Sequence, residues 1–280
     1  MIGDLRFGIW DLGPPTVYLV RHGEVEHHRT DVSLTPRGRK QAEAAGAALA
    51  ARIADGHAVF VYHSPVTRVQ ETADLIRASL KVAMTAAGRA GRIVLHPSQP
   101  DPTLCNVRFI VGPGREPEEP SLLYDEIKIP AYLQRLPPAR AEFYRGFWAS
   151  ADPMGYWLTH DSHGGAESPD VVLNRLRGRL GEIFSDDGAL TPAPSPLAKL
   201  RDGRGESAHW IMVTHSGTLR ALLRDAFGAD PGEPNFCEAI TLKPSGWADW
   251  VTLSYRGPRT AYRLSSMMDA VKQWAIRDTR

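Results

Sequence analysis

Short runs of β-branched and aromatic residues form the first strong pattern along the chain. The runs TVYLVR at 16–21, AVFVYH at 58–63 and HWIMVTH at 209–215 are apolar at almost every position. Continuous apolar runs of this length predict strands that are buried on both faces, as in a parallel sheet. Two further strands are predicted in CEAITL at 237–242 and in WADWVTLSYRG at 247–257.

Helical sequence follows these runs. Thr35 is a suitable N-cap for a helix that begins at Pro36, and alanine dominates from there to about Arg52. Helix-starting residues and apolar residues at helical spacing predict further helices over about 65–80, 168–184, 216–227 and 264–277. The alternation of strands and helices predicts a three-layer α/β/α sandwich with a mostly parallel central sheet.

Three stretches interrupt this alternation. Residues 83–120 contain several Gly and Pro residues and the acidic segment GPGREPEEP, and residues 130–160 are aromatic and helical in character. Residues 187–207 are typical of a flexible surface loop. Because the length fits one α/β domain, we expect a single domain over 1–280, with insertions at 83–120 and 130–160 that form a cap of helices and loops.

Composition and charge exclude several classes of protein. The chain has 33 basic and 32 acidic residues and a net charge of +1, so no overall field attracts it to nucleic acid or to an anionic membrane. No apolar stretch approaches the roughly 20 residues of a membrane helix, and the first residues lack the pattern of a signal peptide. Two cysteines far apart in sequence favour a reducing compartment. We therefore expect a cytoplasmic protein that binds neither nucleic acid nor membrane.

Residues suited to phosphate chemistry follow the predicted strands directly. RHGE lies at 21–24, SPVTRVQETA at 64–73 and THSG at 214–217. Ligand sites of α/β sheets lie at the carboxyl ends of strands, where helix N-termini also point. Arginine binds phosphate oxygens through two N–H groups, and neutral histidine can attack phosphorus. Arg68 or His215 alone is more often structural, and the string at 21–23 alone is a moderate signal. Together they predict a phosphate site built from Arg21, His22, Arg68, His215 and Ser216.

A carboxylic acid is the remaining requirement, because the leaving alkoxide of a phosphate ester must be protonated. Asp125 and Glu126 lie beside an apolar run and are candidates. Spacing alone does not distinguish this pair from Glu24, Glu71 or Glu167.

The motifs together resemble the histidine phosphatase superfamily, in its phosphoglycerate mutase-like branch with the broad-specificity phosphatases. The matching elements occur in the family's order and are RHGE at 21–24, LTPRGRKQA at 34–42, SPVTRVQETA at 64–73, GGAES at 164–168 and THSG at 214–217. The resemblance implies a phosphomonoesterase without metal or cofactor, in which His22 carries the phosphoryl group as phosphohistidine. It also implies that Arg21, Arg68 and protonated His215 hold the phosphate, and that Glu126 is the general acid and base.

The leaving-group side of the site departs from the family's pattern. His28 stands where the family often has Asn, and the interval from Arg68 to Glu126 is longer than usual. Tyr132 and Trp148 belong to an aromatic segment that either packs the cap or contacts substrate. The candidate substrate contacts are Glu24, His28, Tyr132, Trp148 and Glu167.

Other interpretations remain open at this stage. A phosphoglycerate mutase-like phosphotransferase would need a second anion site, for which Arg135, Arg140 and Arg145 are available. A non-catalytic phosphate-binding protein on the same fold is the alternative from another class. The histidines at 27–28 and 160–163 lack a complete set of ligands with zinc spacing, so we expect no metal site. The expected partner is a small phosphomonoester, and a homodimer is possible.

Overall fold

The computed structural model describes residues 15–112, 114–185, 207–247 and 249–265. The three apolar runs form the buried strands that their sequence predicts. The strands are β1 (Thr16–Arg21), β2 (Ala58–His63), β3 (Val94–Pro100), β4 (Ala208–Thr214), β5 (Ala239–Pro244), β6 (Trp250–Ser254) and β7 (Arg259–Arg263). Every residue of β1, β2 and β4 is buried.

The seven strands form one mixed sheet in the order β3-β2-β4-β1-β5-β6-β7. The half made of β3, β2, β4 and β1 is parallel, as predicted, whereas β5, β6 and β7 run antiparallel to their neighbours. In the parallel half, Arg21 pairs with Thr214 and His63 pairs with Val213. The carboxyl ends of β1, β2 and β4 therefore lie side by side at one edge.

Helices cover both faces of the sheet and confirm the three-layer prediction. They are α1 (Pro36–Ala50), α2 (Thr67–Ala86), α3 (Pro120–Lys128), α4 (Pro130–Leu133), α5 (Pro138–Ala149), α6 (Pro153–Thr159), α7 (Pro169–Phe184) and α8 (Ser216–Phe227). Side chains alternate across β1, so that Tyr18 and Val20 pack with α1 and α2 while Val17 and Leu19 pack with α7 and α8.

Two helix starts at the edge of the sheet have different caps. Thr35 caps α1 as predicted, because its hydroxyl accepts the N–H of Gly38 at 2.9 Å. The second helix begins at Thr67, two residues after the predicted Pro65. Its first N–H group is satisfied from outside the helix, since the Asp31 carboxylate accepts the Thr67 N–H at 3.0 Å. The loop after β1 is thereby fixed to the helix after β2.

The two predicted insertions contribute more than a cap. Within 83–120, α2 continues to Ala86 and β3 pairs with β2 at the edge of the sheet, so part of this stretch belongs to the sandwich itself. Within 130–160, α5 and α6 form a separate apolar cluster with the loop around Phe109 and with α3. This cluster is the cap.

Two other predictions fall largely outside the described residues. The predicted loop at 187–207 and the predicted terminal helix at 264–277 lie there, except for residues 207, 264 and 265. Strand β7 was not predicted and is the outer strand of a hairpin with β6. In the described part of the chain, no helix has the length and apolar character to cross a membrane.

Candidate active site

A pocket of about 300 Å³ lies between the carboxyl ends of the parallel strands and the cap helices α5 and α6. The residues predicted for phosphate binding line it together, although they come from three distant parts of the sequence. These residues are Arg21, His22, Arg68, His215 and Ser216, and His28 joins them.

His22 follows β1 and is almost fully buried, with 2% of its surface exposed. Its Nδ1 lies 2.8 Å from the carbonyl oxygen of Gly23. A carbonyl only accepts, so Nδ1 carries the proton and the lone pair is on Nε2. Burial lowers the pKa of His22 well below its ordinary value, and the charges of Arg68 and Arg21 act in the same direction. His22 is therefore a neutral imidazole with a fixed tautomer, as a nucleophile requires.

Arg21 is held from behind by the segment 233–236. Its Nη2 lies 2.7 Å from Glu233, its Nη1 donates to the carbonyl of Pro234, and its guanidinium stacks 4.0 Å above the Phe236 ring. Its Nε is buried and has no hydrogen-bond partner among the described residues. The guanidinium is thus fixed in position while one donor stays unused. Nothing in the sequence of this segment had indicated it.

Arg68 lies in the first turn of α2, where a positive charge opposes the helix dipole. Two carboxylates compensate it: Glu119 at 3.0 Å from Nη2 and Asp31 at 3.5 Å from Nη1. Because Arg68 is only 2% exposed, loss of both partners would leave a buried unpaired charge.

His215 precedes α8 and is also buried. Its Nε2 lies 3.0 Å from Oε1 of Glu119, and its Nδ1 lies 3.4 Å from Nη2 of Arg68. A guanidinium only donates, so Nδ1 accepts and the proton is on Nε2, which donates it to the Ser64 hydroxyl oxygen at 3.0 Å, beside Glu119. Burial lowers the pKa of His215, although the Glu119 carboxylate opposes this shift. The structure therefore contains a neutral His215, and the protonated form implied by the resemblance requires additional negative charge nearby.

Glu119 is the buried carboxylate of this pocket. It is 4% exposed and occupies the N-cap position of α3 without capping that helix. Complete burial alone would raise its pKa, but the contacts with His215, with Arg68 and with the N–H of Asn106 outweigh desolvation and lower it. Glu119 is therefore ionised in the structure. A glutamate directly before a helix-starting proline is a poor cap for its own helix, and this was the available signal for it.

The prediction that Glu126 supplies the acid is contradicted by its position. A backbone bridge between Phe109 and Glu118 turns the chain so that Glu119 enters the pocket. Two helical turns of α3, about 10 Å, then carry Glu126 away from it. The Glu126 side chain is 39% exposed and pairs with Arg115 at 2.6 Å.

Three predicted substrate contacts do not line the pocket, because each has a structural partner elsewhere. Glu24 accepts the hydroxyl of Thr35 at 3.0 Å, beside the start of α1. Glu167 is buried between two arginines of the cap junction, Arg108 at 2.6 Å and Arg175 at 2.8 Å. The hydroxyl of Tyr132 donates to the carbonyl of Val111 inside the cap at 2.6 Å.

The two remaining predicted contacts do line the pocket. His28 is exposed at its mouth, with its ring centre 5.5 Å from that of His22. Trp148 forms part of the opposite wall, and its Nε1 is buried without a partner among the described residues. The pocket residues that sequence reasoning missed include Asn106, Glu119, Ser121, Phe147, Asp152, Met154 and Glu233.

The histidines considered as metal ligands are dispersed. His160 stacks on Tyr156 with ring centres 3.8 Å apart, and its Nδ1 lies 2.9 Å from the Tyr156 carbonyl. Within the described ranges, no group of three or more His, Cys, Asp and Glu side chains is arranged to hold a metal ion.

Several solved structures are similar to this chain at low identity. Bacillus stearothermophilus YhfR shares 19% identity over 87% of this chain and 96% of its own, with a TM-score of 0.49. A phosphoglycerate mutase from Bacillus anthracis str. Sterne shares 16% over 90% and 93%, with a TM-score of 0.45. A mycobacterial glucosyl-3-phosphoglycerate phosphatase shares 19% over 86% and 98%, with a TM-score of 0.45.

Comparison at the level of sequence gives a more specific result. The comparison with curated proteins finds no match. Residues 17–89, however, match the family model described as "Histidine phosphatase superfamily (branch 1)". This range includes β2, all of β1 except Thr16, and the pocket residues Arg21, His22 and Arg68. The segment 17–89 thus carries the sequence pattern of the histidine phosphatase superfamily, branch 1.

Proposed function

We propose that this protein is a phosphomonoesterase that transfers the phosphoryl group of a small metabolite first to His22 and then to water. The observation that carries the proposal is the state of His22: a neutral, buried imidazole whose Nδ1 is held by the Gly23 carbonyl. His22, with its lone pair on Nε2, lines a pocket together with Arg21, Arg68 and His215. A neutral nucleophile surrounded by donors is the arrangement that phosphoryl transfer needs.

The phosphate would bind where Glu119 now makes its contacts. Arg68 Nη2 and His215 Nε2 both contact this carboxylate, and the unused Nε of Arg21 is a further donor. The charged oxygens of a phosphate accept the same hydrogen bonds as a carboxylate and carry more charge. Binding would therefore favour the protonated form of His215 and stabilise the charge of the transition state.

The same event makes Glu119 a general acid. A phosphate dianion beside Glu119 disfavours its ionised form, which raises the pKa of the carboxyl from its lowered value. In the first step, the lone pair of His22 Nε2 forms the P–N bond while the P–O bond to the alcohol breaks. Glu119 donates its proton to the departing oxygen, so the alcohol leaves neutral and Glu119 becomes a carboxylate.

The second step regenerates the enzyme. Glu119, now ionised, accepts a proton from a water molecule that attacks phosphorus. The P–N bond breaks, its electron pair returns to Nε2 of His22, and inorganic phosphate leaves. One carboxyl group thus serves both steps in opposite protonation states.

The position of the cap arginines favours hydrolysis over a mutase-like phosphotransfer. A mutase must hold a second anionic group of its substrate, and Arg135, Arg140 and Arg145 were the candidates for this role. None of them lines the pocket. Arg140 donates to the His163 carbonyl, and Arg145 lines a different cavity on the cap. A non-catalytic phosphate-binding role would not account for a neutral imidazole among the donors of this pocket, where a cation would bind phosphate more strongly.

The test is to trap the phosphohistidine. A phosphate-labelled substrate, quenched during turnover, should leave an acid-labile and base-stable label on His22. His63 provides a matched control, because it also ends a strand, is buried, and has its Nδ1 3.0 Å from the next carbonyl, yet does not line the pocket. We expect that His22→Gln is not labelled and that its turnover falls at least about 10³-fold. His63→Gln should be labelled and should turn over substrate like the unsubstituted protein. Near-normal turnover of folded His22→Gln would exclude the covalent mechanism.

A further inference from the structure

We infer that the substrate's leaving group is a compact, uncharged alcohol that carries several hydroxyl groups and has an apolar face, and that Ser121, Asn106 and Trp148 select it. The inference rests on the proposed function, because it assigns the part of the pocket that the phosphate does not occupy. Charge, unused hydrogen-bonding groups and the shape of the wall support it independently.

The charges of the pocket leave no place for a second anion. Arg21 and Arg68 are the only Lys or Arg side chains among the described residues that line it. Both belong to the phosphate site. The other charged side chains of the wall are carboxylates, namely Glu119, Asp152 and Glu233. A carboxylate or second phosphate on the leaving group would face these carboxylates without a cation, which disfavours binding.

A cationic leaving group is disfavoured as well, because each of these carboxylates already has a partner. Asp152 pairs with the buried guanidinium of Arg220 at 2.5 Å, and Glu233 is shared between Arg21 at 2.7 Å and Arg220 at 3.2 Å. Glu119 is required for proton transfer in the proposed function. The wall therefore carries no uncompensated charge, and a neutral leaving group fits it best.

Three buried polar atoms in the lining residues lack hydrogen-bond partners among the described residues. They are Ser121 Oγ, Asn106 Oδ1 and Trp148 Nε1. Buried polar atoms without partners are unfavourable, and a ligand that reached these three atoms would supply the hydrogen bonds that they lack. The serine hydroxyl donates and accepts, the amide oxygen accepts and the indole N–H donates. Alcohol hydroxyls also donate and accept, and several of them on one ligand can satisfy all three.

The rest of this wall is apolar and close-fitting. This apolar surface consists of Phe147, Pro153, Met154 and the ring of Trp148. Gly217 at the start of α8 makes room, because a Cβ there would lie 2.4 Å from Asn106 Oδ1 and 2.7 Å from the Met154 sulfur. Apolar side chains of this kind pack against the C–H face of a ring. A volume of about 300 Å³ is at the small end of ligand pockets, which fits one ring with its phosphate better than a nucleotide.

The experiment compares kcat/KM over four substrates of similar size. They are a hexose 6-phosphate, its deoxygenated analogue cyclohexylmethyl phosphate, the anionic 3-phosphoglycerate, and p-nitrophenyl phosphate as an activated reference. We expect kcat/KM for the hexose phosphate to exceed that for the deoxygenated compound and that for the anionic compound by about tenfold or more. The deoxygenated compound cannot form the hydrogen bonds, and the anionic compound carries a charge without a partner. A preference for 3-phosphoglycerate, or equal values for the first two, would overturn the inference.

Variants then assign the preference to residues. Ser121→Ala and Trp148→Phe each remove one unused polar group, and each should reduce the ratio of hexose phosphate to cyclohexylmethyl phosphate by about five- to tenfold. Tyr132→Phe is the control, because it removes a hydroxyl from the cap outside the pocket and should leave this ratio unchanged. An unchanged ratio in both pocket variants contradicts the inference. The proposed function stands in that case if p-nitrophenyl phosphate is hydrolysed with dependence on His22; without such hydrolysis both fail.

Discussion

The Oε1 atom of Glu119 lies 3.0 Å from Nε2 of His215, so the pocket's carboxylate is in close contact with a side chain that the proposed function assigns to phosphate binding. Arg68 reinforces this arrangement by contacting both residues. In the proposed function, phosphate therefore binds only if Glu119 changes its partners or its protonation state. This links substrate binding to the supply of a proton.

Substitution of this carboxylate gives the first prediction. Glu119→Gln should slow hydrolysis of alkyl phosphates by about 10²–10⁴, the usual effect of losing a general acid. An activated aryl phosphate should be affected much less, because its leaving group needs no proton. Phosphate release should be measured for both substrates with Glu126→Gln as the control, which we expect to be nearly neutral. A larger effect from Glu126→Gln, or equal losses on both substrates, would restore the original assignment.

The protonation state of His22 gives a second prediction. Because burial and the neighbouring cations lower its pKa well below the ordinary value, His22 should stay neutral with its proton on Nδ1 as the pH falls through 6.5. Long-range ¹H–¹⁵N spectra recorded from pH 8 to pH 5 report this tautomer, and the spectrum of His22→Gln identifies the signal. A titration of His22 centred near pH 6.5 would show that the imidazole is not desolvated as the structure indicates.

His209, near the amino end of β4 and away from the pocket, should make the stability of the protein depend on pH. His209 is 6% exposed and lies 2.8 Å from Nδ1 of His57 through its Nε2. Burial, then His57 and Lys243, lower the pKa of His209 to about 4. In the unfolded chain His209 has an ordinary pKa and binds a proton below about pH 6.5, whereas in the folded protein it stays neutral until the pH approaches 4. Stability from this group is therefore present above pH 6.5 and is lost as the pH falls toward 4, by up to about 3 kcal/mol.

Urea unfolding at pH 7 and pH 4.5 measures this loss. The free energy of unfolding should change less between the two pH values in His209→Gln than in the unsubstituted protein, because the remaining titrating groups are common to both proteins. An identical difference would exclude His209 as a source of the pH dependence.

Two glycines should respond in opposite directions to alanine. A Cβ at Gly23 would lie 2.7 Å from the carbonyl oxygen of Gly38, a backbone atom that cannot move away easily. Gly23→Ala should therefore destabilise the protein by about 1–3 kcal/mol. Gly178 lies inside α7 with nothing within 4 Å of its Cβ position, and Gly178→Ala should stabilise by about 0.5–1 kcal/mol. Thermal unfolding of both variants tests the pair, and a stabilised Gly23→Ala would contradict the close contact.

The pocket's own cations should make the reaction independent of metal. Arg21, Arg68 and a His215 protonated on phosphate binding can neutralise the charge of the reacting phosphate. Activity should survive dialysis against a strong chelator, measured as phosphate release before and after. Loss of activity that only a divalent ion restores would require a metal in the mechanism.

The fold and the basic part of the site could be predicted because their signals are local. A buried strand such as β1 is encoded by consecutive apolar residues, and Arg21 and His22 follow it immediately. The position of the carboxylate was not accessible in the same way. It depends on the bridge between Phe109 and Glu118, which joins irregular segments and determines that residue 119, and not 126, faces the pocket.

Glu24 and Glu167 were misassigned for a related reason. Each stands in or beside a motif of the pocket but is turned toward partners that sequence does not reveal, the Thr35 hydroxyl for the first and the Arg108 guanidinium for the second. Proximity in sequence to a functional residue does not fix the direction of a side chain. That direction follows from the hydrogen bonds available on each side of the backbone.

The carboxylate partners of Arg21 and Arg68 have a consequence for product release in the proposed catalytic cycle. A ligand that binds two arginines already paired with Glu233 and Glu119 gains only the difference between its contacts and theirs. When inorganic phosphate leaves, Glu233 and Glu119 can pair with the two arginines again. Its departure exchanges one set of ion pairs for another and does not leave two buried guanidinium groups unpaired, so product inhibition should be weak although two arginines line the pocket.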